Sequence, residues 1–392
     1  MITKIKNAVF ITDRQETGKK LYIKDERILA LTSDDLPFDR EIDAEGRYVS
    51  PGFIDIHTHG AGGHEFYAGT IEDIFIAADT HARHGTTTVY PTAASISVDD
   101  IRLFIRNVRA AMLENAPGRP HIAGAHLEGR YFAQGQRGAQ NPKYLSAPHK
   151  EDYESLLDGN EDVVKRVCFA PELEGALGLC DYLRERGIVA AFAHTDAIYE
   201  EILPAVDRGC RLATHLYSGM SGVTRRNAYR RLGGVETAFL DDRIDVEVIA
   251  DGKHLPKELL RLVYKIKGAD KICLVTDSMK AAGMPEGESD IGGLGCIVRD
   301  GVAFLPDLSA FAGSVATADR LVRVMYKEAG VSLCDAVKMI TQTPARVMGL
   351  RDRGSLAEGY CADLVFFDDA INVERVLIEG KEFYARHEHA GQ

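Results

Sequence analysis

Long apolar runs are missing from this chain of 392 residues. No stretch approaches the roughly 20 apolar residues that a membrane-spanning helix needs, and the charged N-terminus is not followed by the apolar segment of a signal peptide. A basic excess is also lacking, since the formal net charge is −12 and no dense patch of lysine and arginine stands out. We therefore expect neither a nucleic acid nor a membrane as a partner.

A cysteine framework is absent as well. The seven cysteines are scattered, their number is odd, and they form no Cys-X-X-Cys motif. This usage is typical of reduced thiols, so we expect a cytoplasmic protein. Low-complexity tracts and long linkers are also missing, while 45% of the residues are hydrophobic. Length and composition together predict one large domain with a sizeable core and a smaller domain beside it.

A repeated pattern fills the middle of the chain: a short apolar run, a polar residue at its end, then a helical stretch. The apolar runs are 53–57, 86–92, 121–128, 164–170, 188–194, 211–215, 245–250 and 271–277. The helical stretches between them include 71–84, 98–113, 177–186, 199–208 and 256–267. This alternation predicts an α/β fold, either a (β/α)₈ barrel or an open doubly wound sheet. Polar residues at so many strand ends favour the barrel, which would gather them around one mouth.

The two ends of the chain have a different pattern of short strands and turns. Strand-like segments lie at 5–11, 20–23, 27–31, 362–367 and 373–378. We predict a small β-sandwich domain built from both ends, residues 1–50 and 355–392. The barrel domain would then comprise residues 51–354.

Candidate metal ligands lie at the ends of several predicted strands. His57 and His59 end the first run, and strand alternation places both on the same side. Alone, such a pair is more often ordinary polar surface. Glu128, His194 and His215 follow later runs, and a barrel would bring all five together. Imidazoles with one carboxylate suit one or two divalent ions such as Zn²⁺, Fe²⁺, Mn²⁺ or Co²⁺.

Two further features have alternative interpretations. Asp277, at the end of the last run, is either the N-cap of a helix or a member of the same pocket. A basic cluster contains Arg225, Arg226, Arg230 and Arg231. It is either a solvated loop or a site for a small anion such as a phosphate ester.

Taken in order, these motifs resemble the amidohydrolase superfamily and, within it, the N-acetylglucosamine-6-phosphate deacetylase family. The first motif, Pro-Gly-Phe-Ile-Asp-Ile-His-Thr-His, occupies 51–59. The others lie at 85–88, 126–129, 193–194, 214–217, 250–254, 275–277, 312–314, 343–345 and 362–365. The resemblance thus covers nearly the whole chain.

The resemblance implies a set of metal ligands. Glu128, His194 and His215 match the ligands that the family shares. His57 and His59 match a His-X-His that some members keep and others have lost. A second metal ion is therefore implied, with Glu128 bridging the two. Zinc is the metal expected first.

The resemblance also implies a catalytic residue and a substrate. Asp277 matches the acid/base carboxylate of an enzyme that removes the acetyl group from an N-acetylated amino-sugar phosphate. Arg226 and His254 match residues that contact the phosphate, and the arginine would reach into the neighbouring subunit of a homodimer or higher homo-oligomer. The full set of implied substrate-binding residues is Ala139, Gln140, Ser218, Gly219, Arg226, His254, Phe311, Ala312 and Gly313.

Four departures from the family pattern lie on the substrate side. Gln140 stands where the family usually has a histidine, Arg130 replaces a proline, Ser218-Gly219 replaces Asn-Ala, and the loop after Met220 is longer. The sequence therefore predicts the reaction type more strongly than the substrate. Two alternatives stay open: an amidohydrolase for another N-acyl or cyclic amide substrate, and a non-enzymatic barrel that serves as an interaction module.

Overall fold

A parallel sheet forms the centre of the computed structural model, which describes residues 1–291, 293–308 and 311–386. Its segments are Phe53–Thr58, Thr86–Ala93, His121–Ile122, Ala125–Glu128, Val164–Phe169, Val189–Phe192, Leu212–Ala213, Asp245–Val248 and Ile272–Leu274. The third and fourth segments both pair with the second and share one position, which makes eight positions. The Asp277 N–H donates to the His57 carbonyl oxygen at 2.9 Å and links the last position to the first. The predicted (β/α)₈ barrel is confirmed.

Helices surround this barrel and cover its apolar outer face. In the described part of the chain they are Ile71–Ala82, Val98–Glu114, Lys150–Leu157, Ala176–Glu185, Tyr199–Asp207, Gly234–Leu240, Lys257–Lys267, Ala318–Arg323, Leu333–Lys338 and Gln342–Val347. The five predicted helices are among them. Side chains at Thr70 and Ser97 cap the first two by accepting from backbone N–H groups three residues later. Within the described ranges, no helix combines the length and apolar character needed to cross a membrane.

Two further sheets are built from both ends of the chain. The larger has the order Lys381–Ala385, Val373–Ile378, Leu364–Phe367, Tyr48–Pro51, Val9–Ile11 and Gln15–Glu16. The smaller has the order Arg27–Thr32, Lys20–Lys24, Ile2–Lys6 and Arg40–Asp43. Ile5, Leu21, Leu364 and Phe366 belong to one buried cluster between them, which confirms the predicted β-sandwich.

The exact division of the chain into 1–50 with 355–392 and 51–354 stays a prediction. Its C-terminal part, 387–392, lies outside the described residues.

Three details differ from the sequence-based expectation. The single strand expected at 5–11 is wrong, because Asn7 has a left-handed backbone (φ 51°) and the chain passes from one sheet to the other. An antiparallel sheet of Gly287–Ile291, Leu294–Arg299 and Val302–Phe304 follows the last barrel strand and was not predicted. The basic cluster forms a hairpin of Thr224–Arg226 and Tyr229–Arg231.

Candidate metal centre

Five predicted ligands meet at the carboxyl ends of the barrel strands. His57, His59 and Glu128 form one group, and Glu128, His194 and His215 form another. Within each group the candidate ligand atoms lie within 4.8 Å of one another, and all five side chains are buried. The convergence that barrel topology predicts is therefore present.

Glu128 belongs to both groups because its two carboxylate oxygens face different imidazoles. Its Oε1 lies 2.9 Å from His215 Nε2 and 3.2 Å from His194 Nε2. Its Oε2 lies 3.2 Å from His59 Nε2. This geometry is that of a carboxylate able to bridge two cations.

Asp277 closes the remaining side of the cluster. Its Oδ1 lies 3.3 Å from Nε2 of both His57 and His59. The next described helix begins only at Ala318, so the N-cap interpretation of Asp277 is wrong. Asp277 (φ 45°), His194 (φ 45°) and His215 (φ 29°) all have left-handed backbone conformations. Three functional side chains are thus presented from backbone that non-glycine residues rarely adopt.

Electrostatics make this cluster ready for a cation. Burial disfavours a charged imidazole, but Asp277 and Glu128 outweigh burial and raise the pKa of His59 to about 9. Burial also opposes a charged carboxyl, yet His57 and His59 hold the pKa of Asp277 below its usual value. A metal ion bound by these rings would compete with protons for the same nitrogens.

The residues present fit a divalent metal. His57 Nε2 is buried and has no hydrogen-bond partner in the described structure. Glu128, Asp277 and the buried Glu247 contribute three carboxylates and Arg166 one positive charge, and the buried Asp55 accepts from the His57 backbone N–H at 3.2 Å. This acidic excess suits a divalent cation. Imidazole nitrogens with a carboxylate are ligands typical of zinc and its neighbours in the transition series.

A cavity of about 270 Å³ opens in front of this cluster. We call the cluster of His57, His59, Glu128, His194, His215 and Asp277 the metal end, and all of it except the completely buried His57 lines the cavity. The rest of the lining, which we call the loop end, includes Ala139, Gln140, Ser218, Gly219, His254, Phe311 and Gly313. Ile291, from the antiparallel sheet that was not predicted, also lines the cavity. Most of the residues singled out in the sequence therefore share one pocket.

Two of the predicted substrate residues do not line this cavity. Ala312 is fully buried, and only its neighbours Phe311 and Gly313 reach the pocket. Arg226 lies on the exposed hairpin, where its guanidinium pairs with Glu201 at 3.2 Å. Within the described residues, the pocket therefore takes no arginine from its own chain.

Gln140 is held from both sides. The Ser95 N–H donates to its Oε1 at 2.7 Å, and its Nε2 donates to Glu128 Oε2 at 2.7 Å. These two bonds fix the amide orientation, because a flipped amide would face a donor with a donor. Gln140 thus contacts the shared carboxylate of the metal end directly.

His254 has a fixed orientation at the loop end. Its Nδ1 donates to Asp251 Oδ2 at 2.8 Å, and its ring packs on Phe311 with centroids 4.9 Å apart. Nε2 is therefore the nitrogen left for a ligand. Asp251 was missed in the sequence, although it lies three residues before His254 in the same motif.

Two of the four departures have a physical reason. Gly219 has φ 55°, and a Cβ there would lie 2.6 Å from His194 Nδ1 and 2.9 Å from Gln136 O. His194 Nδ1 donates to that same Gln136 oxygen at 2.7 Å, so an alanine would disturb a candidate ligand. Arg130 has φ 76°, and its N–H donates to Ser95 Oγ at 3.1 Å. A proline could adopt neither that φ nor that bond.

Two charged residues in the barrel interior also escaped the sequence analysis. Glu247 lies in Asp245–Val248 and Arg166 in Val164–Phe169, and both are completely buried. A charged side chain inside a short apolar run was the available signal. Their contacts with the metal end are described below.

Comparison with known families decides the assignment. The family model for amidohydrolases matches residues 48–383, most of the chain. The chain belongs to the amidohydrolase family.

Relatives of this amidohydrolase include deacetylases of both amino-sugar epimers. N-acetylglucosamine-6-phosphate deacetylase from Lysinibacillus sphaericus is 31% identical over 343 residues, 87% of each protein. N-acetylgalactosamine-6-phosphate deacetylase from Escherichia coli O157:H7 is 29% identical over 342 residues, 87% of this chain and 88% of that protein.

A solved structure extends the likeness to three dimensions. It is a mutant N-acetyl-D-glucosamine-6-phosphate deacetylase from Mycobacterium smegmatis in complex with N-acetyl-D-glucosamine-6-phosphate. It superposes with a TM-score of 0.89 at 30% identity, covering 98% of this chain and 99% of that chain. The resemblance predicted from the motifs is confirmed.

Proposed function

We propose that this amidohydrolase removes the acetyl group from an N-acetylhexosamine 6-phosphate, with N-acetylglucosamine 6-phosphate as the first candidate. Water is consumed, and acetate and the amino-sugar phosphate are released. The observation that carries the proposal is the meeting of Glu128, His194, His215 and Asp277 in one pocket. The deacetylase relatives, which align over most of their own length, support the same reaction.

Glu128, His194 and His215 would hold one divalent metal, with zinc expected first. His57 and His59 would hold a second ion or support the first through Glu128. Once bound, the ion would acidify a coordinated water and polarise the acetyl carbonyl.

Asp277 is the proposed acid and base. A carboxyl group is ionised at neutral pH, and Asp277 Oδ1 faces the cluster at 3.3 Å from Nε2 of both His57 and His59, so it can accept a proton from the attacking water. The same carboxyl then delivers that proton to the amine nitrogen as the carbon–nitrogen bond breaks. The amino sugar leaves far more easily as a neutral amine than as an amide anion.

Gln140 has a second amide hydrogen that Glu128 does not use. An amide NH₂ carries two donors, and Glu128 Oε2 accepts only one of them. The other is available to the acetyl oxygen, where negative charge develops during attack. Such neutral hydrogen bonds stabilise an oxyanion without carrying a charge.

The acetyl group would enter a small chamber beside the main cavity. This chamber has a volume of about 30 Å³, against about 270 Å³ for the main cavity. It is lined by His59, Ala94, Ser95, Ala139, Gln140, Asn141 and Ile291. A space of this size would take a short acyl chain and exclude the sugar ring.

The phosphate would be bound across a subunit interface. His254 is the candidate from the same chain, and Arg226 would come from the neighbouring subunit of a homodimer. The exposed hairpin, with Tyr229 73% exposed, supports a contact outside its own chain. The seven free cysteines support action in a reducing compartment, the cytoplasm.

The two alternative functions, another amidohydrolase reaction and a non-enzymatic barrel, have less support. Bridging by a carboxylated lysine would need a lysine at the metal end, whereas Glu128 occupies the shared position and no described lysine lines the cavity. A non-enzymatic barrel would not need Asp277 and both ligand groups to be retained.

Acetate release from metal-replete protein tests the proposal. The substrates are the N-acetyl derivatives of glucosamine and galactosamine, each with and without a 6-phosphate. We expect the phosphorylated glucosamine derivative to have the highest kcat/KM. A higher kcat/KM for the phosphorylated galactosamine epimer would change the assigned substrate but not the assigned reaction. No acetate from any of the four would overturn the proposal.

A further inference from the structure

An ion pair lies completely buried in the barrel, below the metal end. The guanidinium Nη1 of Arg166 contacts Oε1 of Glu247, and neither residue is exposed to solvent. Burying two charges costs several kcal/mol per ion unless each is paired and hydrogen-bonded. The remaining contacts of the pair therefore identify what it does.

Glu247 contacts a residue from each ligand group. Its Oε2 accepts from His57 Nδ1 at 3.1 Å and from the backbone N–H of His215 at 3.3 Å. His57 belongs to the group with His59, and His215 to the group with His194. One carboxylate oxygen thus connects both halves of the metal end.

The bond to His57 selects a ring tautomer. When Nδ1 carries the hydrogen and donates it to Glu247, Nε2 keeps its lone pair. That Nε2 is the buried nitrogen without a hydrogen-bond partner, 3.3 Å from Asp277 Oδ1. A carboxylate behind a ligand histidine is a common means of orienting the ring toward a metal.

Arg166 reaches the residues immediately before the same two histidines. Its Nη1 also donates to the carbonyl oxygen of Ile56 at 3.2 Å, and its Nη2 donates to Thr214 Oγ1 at 2.8 Å. Ile56 precedes His57, and Thr214 precedes His215. The guanidinium therefore fixes both strand ends while it holds Glu247 in place.

We infer that Arg166 and Glu247 are positioning residues, which hold His57 and His215 in register so that the two ligand groups bind metal as one unit. This inference rests on the proposed metal centre. A purely structural pair would stabilise the barrel and leave metal affinity unchanged.

Metal titration of the apoprotein distinguishes these roles. Zn²⁺ affinity and stoichiometry are measured by competition with a chelating dye, and the ligand field by visible absorption after Co²⁺ loading. For Glu247→Gln we expect metal affinity to fall roughly ten- to a hundredfold, with an altered Co²⁺ spectrum. An affinity and spectrum equal to those of the parent would overturn the inference.

Arg353 and Asp363 supply a matched control. They form another buried ion pair, in contact with Glu379 and with no candidate ligand. Asp363→Asn should lower the melting temperature and leave Zn²⁺ affinity and the Co²⁺ spectrum unchanged. If it weakens metal binding as much as Glu247→Gln does, the effect is general destabilisation and the inference is wrong.

A charge-free double variant covers the case in which Glu247→Gln does not fold. Arg166→Met with Glu247→Leu removes both charges together, which barrels and cores tolerate better than one unpaired charge. We expect the same loss of metal affinity, and parental affinity would overturn the inference. A parent protein that binds no metal and releases no acetate would overturn the proposed function as well. A parent that does both, with unaffected variants, would overturn only the positioning role.

Discussion

The two ends of the cavity are built differently. At the metal end, His57 and Glu128 lie on barrel strands and His194 and His215 directly follow them, buried and within reach of shared carboxylates. At the loop end, the lining comes from connections between elements. The expected arginine, Arg226, lies on a hairpin where 49% of its side chain is exposed.

In the proposed dimer, this difference would separate the part of the site that one chain builds alone from the part that it builds with a partner. Strand register fixes the metal end, because neighbouring parallel strands must end at the same edge of the barrel. Among the described residues, the loop end has one histidine, one glutamine and one serine as polar side chains, and no lysine or arginine to match a phosphate dianion. We therefore expect substitutions at the metal end to abolish catalysis and substitutions at the loop end to alter substrate selection.

Loss of the shared carboxylate should have the largest effect. Glu128→Gln removes the charge common to both ligand groups, and metal catalysis is worth several kcal/mol. We expect metal content near zero and turnover reduced by at least about a thousandfold. Elemental analysis and acetate release measure both.

Glu172→Gln is the control for that change. Its carboxylate accepts from Thr195 Oγ1 at 2.6 Å beside His194 and belongs to neither ligand group. The Glu172→Gln variant should keep the metal content of the parent. Full metal occupancy in Glu128→Gln would contradict the description of the metal end.

The next largest effect distinguishes the proposed base, Asp277, from the candidate metal ligands. Asp277→Asn keeps the shape of the side chain but removes the proton acceptor. Because general acid–base catalysis contributes roughly 10²–10⁴-fold, we expect a loss of that size in kcat. Metal content should stay close to that of the parent. Near-normal kcat would assign the proton transfers to another group.

At the loop end, Arg226→Ala should raise KM rather than lower kcat. Charge-assisted hydrogen bonds contribute about 1.5–3 kcal/mol, so we expect a ten- to hundredfold increase for the phosphorylated sugar only. Arg231→Ala is the matched control, since Arg231 lies on the same hairpin and pairs with Glu200 at 2.8 Å. An unchanged KM in both variants would identify the hairpin as solvated surface, and an equal rise in both would show that the phosphate contact is not specific to Arg226.

Mixing two defective proteins tests whether the arginine comes from the partner. In a dimer of one Asp277→Asn chain and one Arg226→Ala chain, one pocket would combine an intact Asp277 with an intact Arg226. Activity at low substrate should then return after joint refolding or co-expression. No recovery, with hybrid dimers demonstrated, would place the phosphate contact within one chain.

The smallest expected effect concerns the acyl group. Ile291→Ala enlarges the small chamber beside His59. One methylene in an apolar pocket is worth about 1–3 kcal/mol, so the kcat/KM ratio of the N-propionyl to the N-acetyl substrate should rise about tenfold. Competition between the two substrates measures this ratio directly. An unchanged ratio would place the methyl group elsewhere in the cavity.

The metal end could be predicted from the sequence because each ligand follows an apolar run. Strand periodicity and barrel topology were sufficient to gather His57, Glu128, His194 and His215 without knowledge of any loop. Arg166 and Glu247 were missed for a related reason. The role of a charged residue inside a strand cannot be inferred until its partner, about 80 positions away, is known to lie opposite.

The loop end was predicted less well because it depends on contacts with no periodicity. The sheet that contributes Ile291 begins at Gly287, after turns that have no strand pattern. Gln140 was expected to face substrate, whereas one of its donors is committed to Glu128. Arg226 pairs with Glu201 on an exposed hairpin, and in the proposal its contact with the phosphate requires a second subunit, which sequence pattern alone does not place.

The left-handed backbone at His194, His215 and Asp277 has a consequence for the lifetime of the protein. Each such residue costs of order 1–3 kcal/mol of folding free energy, a sizeable part of a typical margin of 5–15 kcal/mol. A bound ion compensates by mass action, since it stabilises only the folded chain. Heat resistance and resistance to proteolysis should therefore follow the supply of metal in the cell. When the metal is scarce, the enzyme would be degraded faster as well as inactive.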